Sequence, residues 1–95
     1  MIDQDIMSDV ADLYGITVED IVSRCRVRKL ADARAVVCYL LHGKAKMSCV
    51  EVGQMIHRTH ATVLYFKRRA CEWVSRPALN RRAVCAIKEL EKRYG

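Results

Sequence analysis

SCVEVGQMIHRTHATVLYFKRRA, residues Ser48 to Ala70, predicts a short helix, a tight polar turn and a longer helix whose exposed side is basic. Ser48 and Glu51 have the S-x-x-E spacing of a capping box, in which each side chain satisfies a backbone donor of the other at a helix start. Cys49, Val52 and Ile56 follow at helical spacing, and Gly53 is small enough for another helix to approach closely. His57, Arg58 and Thr59 break the apolar pattern, and Thr59 is suited to cap the next helix. That helix carries Val63, Phe66, Ala70 and Val74 on one face, with Tyr65 and Arg68 on the other. Two helices joined so tightly, the second polar at its start, form the helix-turn-helix pattern that places side chains in a DNA major groove.

The rest of the chain reads as helix too, in a single domain over residues 1–95. No run alternates apolar with polar residues as a half-buried strand does, and one proline and four glycines leave little to interrupt helices. All-α architecture with about six helices is therefore expected. The first runs from about Asp3 to Tyr14, with Ile6, Val10 and Leu13 inward, and stops at Gly15. The second starts at Thr17, where T-V-E-D resembles a capping box, and buries Val18, Ile21 and Val22. The third turns Leu30, Ala33, Val37, Leu40 and Leu41 inward and ends near Gly43. Ser75-Arg76-Pro77 ends the fifth, since proline restrains the residue before it and suits a helix start. The sixth then runs to about Arg93 with Leu79, Ala83, Ile87 and Leu90 inward. Trp73 falls on the buried flank of the fifth helix.

Charge is divided unevenly. The first twenty residues hold six acids (Asp3, Asp5, Asp9, Asp12, Glu19, Asp20) and no Lys or Arg. Residues 21–95 therefore hold all 17 bases against five acids, a balance of +12 that predicts a polyanion partner. No apolar run approaches membrane-spanning length, and the acidic N-terminus lacks the layout of a secretory signal. Five unevenly spaced cysteines then fit reduced thiols in a cytoplasmic protein.

Catalytic and metal signatures are missing. Gly43-Lys44 lacks the first glycine and the hydroxyl residue of a phosphate loop, and no nucleophile elbow or H-E-x-x-H occurs. His42, His57 and His60 coexist with the cysteines, but no two cysteines lie closer than eleven positions, whereas structural zinc needs pairs about one turn apart. No enzyme activity, no cofactor and no metal are expected. The segment Arg24-Cys25-Arg26-Val27-Arg28-Lys29 reads either as a solvated loop or as a minor-groove arm, where strong negative potential holds guanidinium groups.

These motifs resemble, in order and over nearly the whole chain, the C-terminal DNA-binding domain of the bacterial chromosomal replication initiator DnaA. Val10-Ala11-Asp12-Leu13-Tyr14 with Ile16-Thr17-Val18-Glu19-Asp20-Ile21 is similar to the family's entry helices. Arg24 to Arg28 stands at its basic loop, Ala33-Arg34 with Cys38-Tyr39-Leu40-Leu41 at its "A-R-Q…Y-L" helix, and Ser48 to Gly53 at "S-L-x-x-I-G". Arg58-Thr59-His60-Ala61-Thr62-Val63 stands where the family signature reads R-D-H-[ST]-T-V. The resemblance implies a Trp-repressor-like helix-turn-helix that binds double-stranded DNA.

Carried over, Arg26 is the minor-groove reader with Arg28 helping, and Arg34 holds a phosphate. Ser48 presents a helix N-terminus to the backbone, His60 reaches a base edge and Thr62 a phosphate. Arg58, Thr59, Ala61 and Tyr65 are expected to face the major groove, and Lys44, Lys46, Arg68 and Arg69 to contact phosphates. About six neutralised phosphates predict a log–log salt slope near −5.

The departures are equally specific. The family's aspartate, an acceptor for cytosine amino groups, is Thr59, and the following Ser/Thr is Ala61. The turn is one residue shorter than the family's. Binding should therefore outlast the family's original base preference. Met1 opens almost directly into the DNA-binding part, which fits either a standalone relative or an excised fragment; the altered signature favours a standalone relative, acting in replication initiation or its regulation. The alternative is a non-catalytic interaction module that kept the fold and lost base readout, docking a protein partner through its acidic first helix.

Overall fold

A computed structural model describes residues 2–95 and contains six α-helices with no strand among the described residues. They are α1 (Ile2–Tyr14), α2 (Val18–Val22), α3 (Arg28–Gly43), α4 (Cys49–Ile56), α5 (His60–Ser75) and α6 (Arg81–Tyr94). The organising element is α3. Its residues from Ala33 to Cys38 are all buried, the pattern of a helix enclosed on every side. It packs against α5, α1 and α6 and touches α2 and α4, so one core runs through the fold.

Sequence chemistry sets the helix ends. Gly15 takes the left-handed conformation (φ 65°) after α1, where a Cβ would be strained. Thr17 and Asp20 form a reciprocal capping box at α2, with bonds of 3.0 and 3.1 Å. The inward stripe of α1 contains Ile6 and Val10 as expected, but Met7, Ala11 and Tyr14 complete it while Leu13 is only half-buried. In α2 only Ile21 is fully buried; Val18 and Val22 lie at the core's edge. On α5 the buried set is Val63, Phe66, Ala70 and Trp73, with Val74 half-buried beside them.

One expectation for the last helix needs correcting. Leu79 is 48% exposed, because Pro77–Leu79 forms a separate 3-10 turn and α6 begins only at Arg81. Asn80 imposes the break: its Oδ1 accepts from the Ala83 N–H (3.1 Å), and its Nδ2 donates to Asp32 on α3 (3.2 Å). The end of α6 is anchored to α1, where the Tyr94 hydroxyl donates to Asp9 and Arg93 pairs with the same carboxylate at 3.2 Å. Tyr14 is buried beneath the Arg82 guanidinium, which stands 4.6 Å from its ring centroid.

Candidate nucleic-acid interface

The predicted helix-turn-helix is α4, a three-residue turn and α5. Ser48 and Glu51 form the expected capping box: Ser48 N–H donates to Glu51 Oε1 (2.9 Å) and Glu51 N–H to Ser48 Oγ (3.2 Å). That commits the Ser48 backbone donor to Glu51 and leaves the next N–H groups of α4 as its open donors. At the other end His57 takes the left-handed conformation (φ 61°, ψ 47°), and the N–H groups of His57 and Arg58 both turn back to Gly53 O. A side chain at Gly53 would drive its Cβ into the Arg58 carbonyl oxygen, so glycine permits the turn to fold over α4. The close neighbour of Gly53 is therefore not another helix, as its size suggests, but the backbone of the turn that follows α4.

Thr59 caps α5. Its Oγ1 accepts from Thr62 N–H (3.3 Å) and donates to Thr62 Oγ1 (3.1 Å), which leaves the Thr62 hydroxyl hydrogen free to point outward. Beyond this cap, His60 and Ala61 are exposed in the first turn. Ala61, Tyr65, Arg68 and Arg69 continue as one exposed stripe at i, i+4, i+7 and i+8, opposite the buried set. Arg69 is steered along this stripe: it donates to the Tyr65 hydroxyl (3.0 Å), and its guanidinium lies 5.5 Å from the Trp73 ring centroid. Lys44 and Lys46 sit in the α3–α4 link, where Lys46 is left-handed (φ 59°) and His42 Nδ1 bonds with Met47 O across 3.1 Å.

The basic loop joins α2 to α3 and exposes Arg24, Arg26 and Val27, with Arg28 and Lys29 exposed beside it on the first turn of α3. Its path is set from below by Arg34, which is 2% exposed. Arg34 Nε donates to Ile21 O (2.7 Å), Nη1 to Cys25 O (2.8 Å), and Nη2 to Ser23 O (2.8 Å) and Asp20 O (3.0 Å). The Ile21 carbonyl, left unpaired at the end of α2, and the loop carbonyls of Ser23 and Cys25 are thereby satisfied by a charged donor. Burial, and then the neighbouring Arg58, hold the Arg34 pKa below its ordinary value.

Two residues expected at DNA make their bonds within the protein, and burial corrects the expectation for Arg34. Arg34 is buried with its donors engaged by backbone carbonyls, so it shapes the loop instead of meeting a phosphate. A sequence signal existed: position 34 shares the inward stripe of Leu30, Val37 and Leu41. Arg58 was expected in the major groove, yet it is half-buried, donating to Ile56 O (3.2 Å), His57 O (3.1 Å) and Ser23 O. Reasoning from the sequence missed Ser23 altogether, because its contribution is a main-chain oxygen.

The remaining cations are not neutralised by protein. Among the described residues, ion pairs link only Arg93 with Asp9 and Glu89. Arg24 and Arg26 on the loop, Arg28 at the start of α3, Lys44 and Lys46 on the link, and Arg68 and Arg69 on α5 therefore offer positive charge without carboxylate partners. No three His, Cys, Asp or Glu side chains group as a metal site among the described residues, and no helix is long and apolar enough to cross a membrane.

A family model for the bacterial DnaA protein helix-turn-helix matches residues 4–69. The chain is also similar to proteins named chromosomal replication initiator protein DnaA: 33% identical over 85 residues to that of Roseiflexus castenholzii, and 34% over 85 to that of Chloroflexus aurantiacus. Each alignment covers 88% of this chain and 18% of the relative. The DnaA 1 protein of Chlamydia muridarum is 28% identical over 88 residues, which is 93% of this chain and 19% of that protein. The chain thus spans less than a fifth of the length of these relatives.

Proposed function

The chain belongs to the bacterial DnaA helix-turn-helix family, and on that premise we propose that it binds double-stranded DNA sequence-specifically, in replication initiation or its regulation. The observation that carries this reading is the set of unpaired cations spread over the basic loop, the α3–α4 link and the exposed stripe of α5. Each phosphate they neutralise releases a condensed counterion, which supplies affinity without base contacts.

Arg26 enters the minor groove with Arg28 beside it, as narrow A/T-rich grooves favour guanidinium groups. His60 and Ala61 approach base edges in the major groove. Ala61 offers a methyl that suits thymine, and the imidazole of His60 offers one donor or acceptor to a purine. Thr59 lies beside them with its hydroxyl engaged by the cap, and Tyr65 borders the same groove. Lys44, Lys46, Thr62, Arg68 and Arg69 hold phosphates, and the α4 N-terminus behind Ser48 adds open backbone donors. The chemistry is recognition, with no catalytic step.

Selection of bound sequences from random duplexes tests the proposal. Enrichment of one site, with Arg26→Ala losing affinity mainly on A/T-rich flanks, supports it. A uniform loss with Arg26→Ala makes that residue a phosphate contact, and failure to enrich any site refutes sequence specificity. The engaged Thr59 hydroxyl and the bare Ala61 methyl favour a second reading, an interaction module that has kept the fold. On α1, Asp5 and Asp12 are exposed while Asp9 is held by Arg93 and Tyr94, so the first two are the acids left to meet a basic partner. Recovery of such a partner together with no DNA retardation identifies that reading.

A further inference from the structure

The basic loop and the recognition helix belong to different parts of the chain, yet one carbonyl joins their supports. Ser23 O, at the start of the loop, accepts from Nη2 of Arg34 at 2.8 Å and also from Nη2 of Arg58, 35 residues further along. The other end of the Arg58 guanidinium is fixed to its own turn, with Nη1 donating to Ile56 O (3.2 Å) and His57 O (3.1 Å). Arg58 also immediately precedes Thr59, the cap of α5. Neither arginine pairs with a carboxylate: Asp20, the nearest acid in sequence to Ser23, gives its Oδ2 to the Thr17 N–H.

Two guanidinium groups converging on one oxygen repel each other, so the arrangement costs stability that a neutral link would not. What it supplies is geometric. A planar fork bonded at one end to the turn and at the other to the loop fixes the distance between the two. From this geometry we infer that Arg58 is a positioning residue: it latches the basic loop to the helix-turn-helix, so that the minor-groove and major-groove readers engage one duplex in a fixed register. The inference rests on the DNA-binding reading for its purpose, but the latch itself exists without DNA.

The test uses the whole chain with Arg58→Lys and Arg58→Met. Lysine keeps the charge but cannot bond Ser23 O and the turn carbonyls together. Without DNA, exchange of the hydrogen-bonded loop amides of Ser23 and Cys25 should accelerate in both variants by about tenfold, the loss expected for one charged hydrogen bond, while exchange in the core of α3 is unchanged. With the best-bound duplex, Arg58→Lys should weaken binding by about tenfold, and Arg58→Met should leave the log–log salt slope as it is.

Combining Arg58→Lys with Arg26→Ala should cost little beyond Arg26→Ala alone, because a latch acts through the loop it positions. Three results overturn the assignment: unchanged loop exchange, a salt slope reduced by about one in Arg58→Met, which marks a phosphate contact, or losses that simply add with Arg26→Ala. Failure of the unaltered chain to retard any duplex refutes the proposed function instead, and loop exchange then still decides the latch.

Discussion

Replacing Gly53 with alanine probes the geometry of the helix-turn-helix most sharply. The added methyl would meet the Arg58 carbonyl oxygen, a backbone atom held by the turn, well inside normal contact distance. Relief requires the turn to lift off α4, which strains or breaks the 2.8 Å bond from Arg58 N–H to Gly53 O. Overpacking of this kind costs about 1–3 kcal/mol, and the weakened bond costs roughly 1 kcal/mol more. Alanine recovers about 1 kcal/mol through its better helix propensity. The net expectation is about 1–3 kcal/mol of destabilisation, a fall in Tm of about 5–20 °C for a domain of this size.

Gly43→Ala supplies the control. It sits at the end of α3 with nothing within 4 Å of an added Cβ, so it should melt at or slightly above the unaltered chain. Thermal unfolding followed by far-UV circular dichroism decides the matter. If Gly53→Ala melts as high as Gly43→Ala, the close-packed turn described here is wrong.

Other expectations follow from the same contacts. Arg34→Met should lower stability by about 2–4 kcal/mol in chemical denaturation, since several carbonyls at the end of α2 lose a charged donor at once. Stability should also decline in alkali. Burial pushes the Tyr14 hydroxyl and the Cys38 thiol each up to about 12, and burial with the bond to Asp9 does the same for Tyr94. These groups hold their protons more tightly in the fold than in the unfolded chain, so their contribution is complete below pH ~7.5 for the thiol and pH ~9 for the tyrosines and is lost progressively as pH rises towards 12. The buried Tyr14 should cost about 1.4 kcal/mol per pH unit above 10, measurable as falling Tm between pH 9 and pH 11.5. Thr59→Asp should keep Tm within a few degrees, because aspartate caps as well as threonine, while sequence selection shifts towards cytosine at one position.

Much of the architecture is written locally and was readable from the chain. Ser48 with Glu51, Thr17 with Asp20, and Thr59 mark helix starts through hydrogen bonds that span three residues, so sequence spacing alone locates them. The apolar stripes of α3 and α5 likewise identify the core, with Trp73 inside it. The misreadings share a physical origin. Leu79 was turned outward by a side chain on another helix, since Asn80 both caps α6 and bonds Asp32 on α3. In the sequence Arg34 reads as a phosphate contact and Arg58 as a major-groove side chain, because arginine at a basic site usually meets DNA. Their long, planar side chains instead reach main-chain oxygens far away in sequence, and no local pattern encodes which carbonyl will be near.

Burial of Arg34 removes one cation from the set that can meet phosphate. Without it, Lys44, Lys46, Arg68 and Arg69, together with the Arg26–Arg28 arm, amount to about five neutralised phosphates, which predicts a log–log slope between about −4 and −5. The direct test is the dissociation constant on duplex DNA across a salt series from about 50 to 300 mM. A slope in that range supports recognition by the loop, the link and α5 acting together. A slope near zero contradicts duplex binding by this surface.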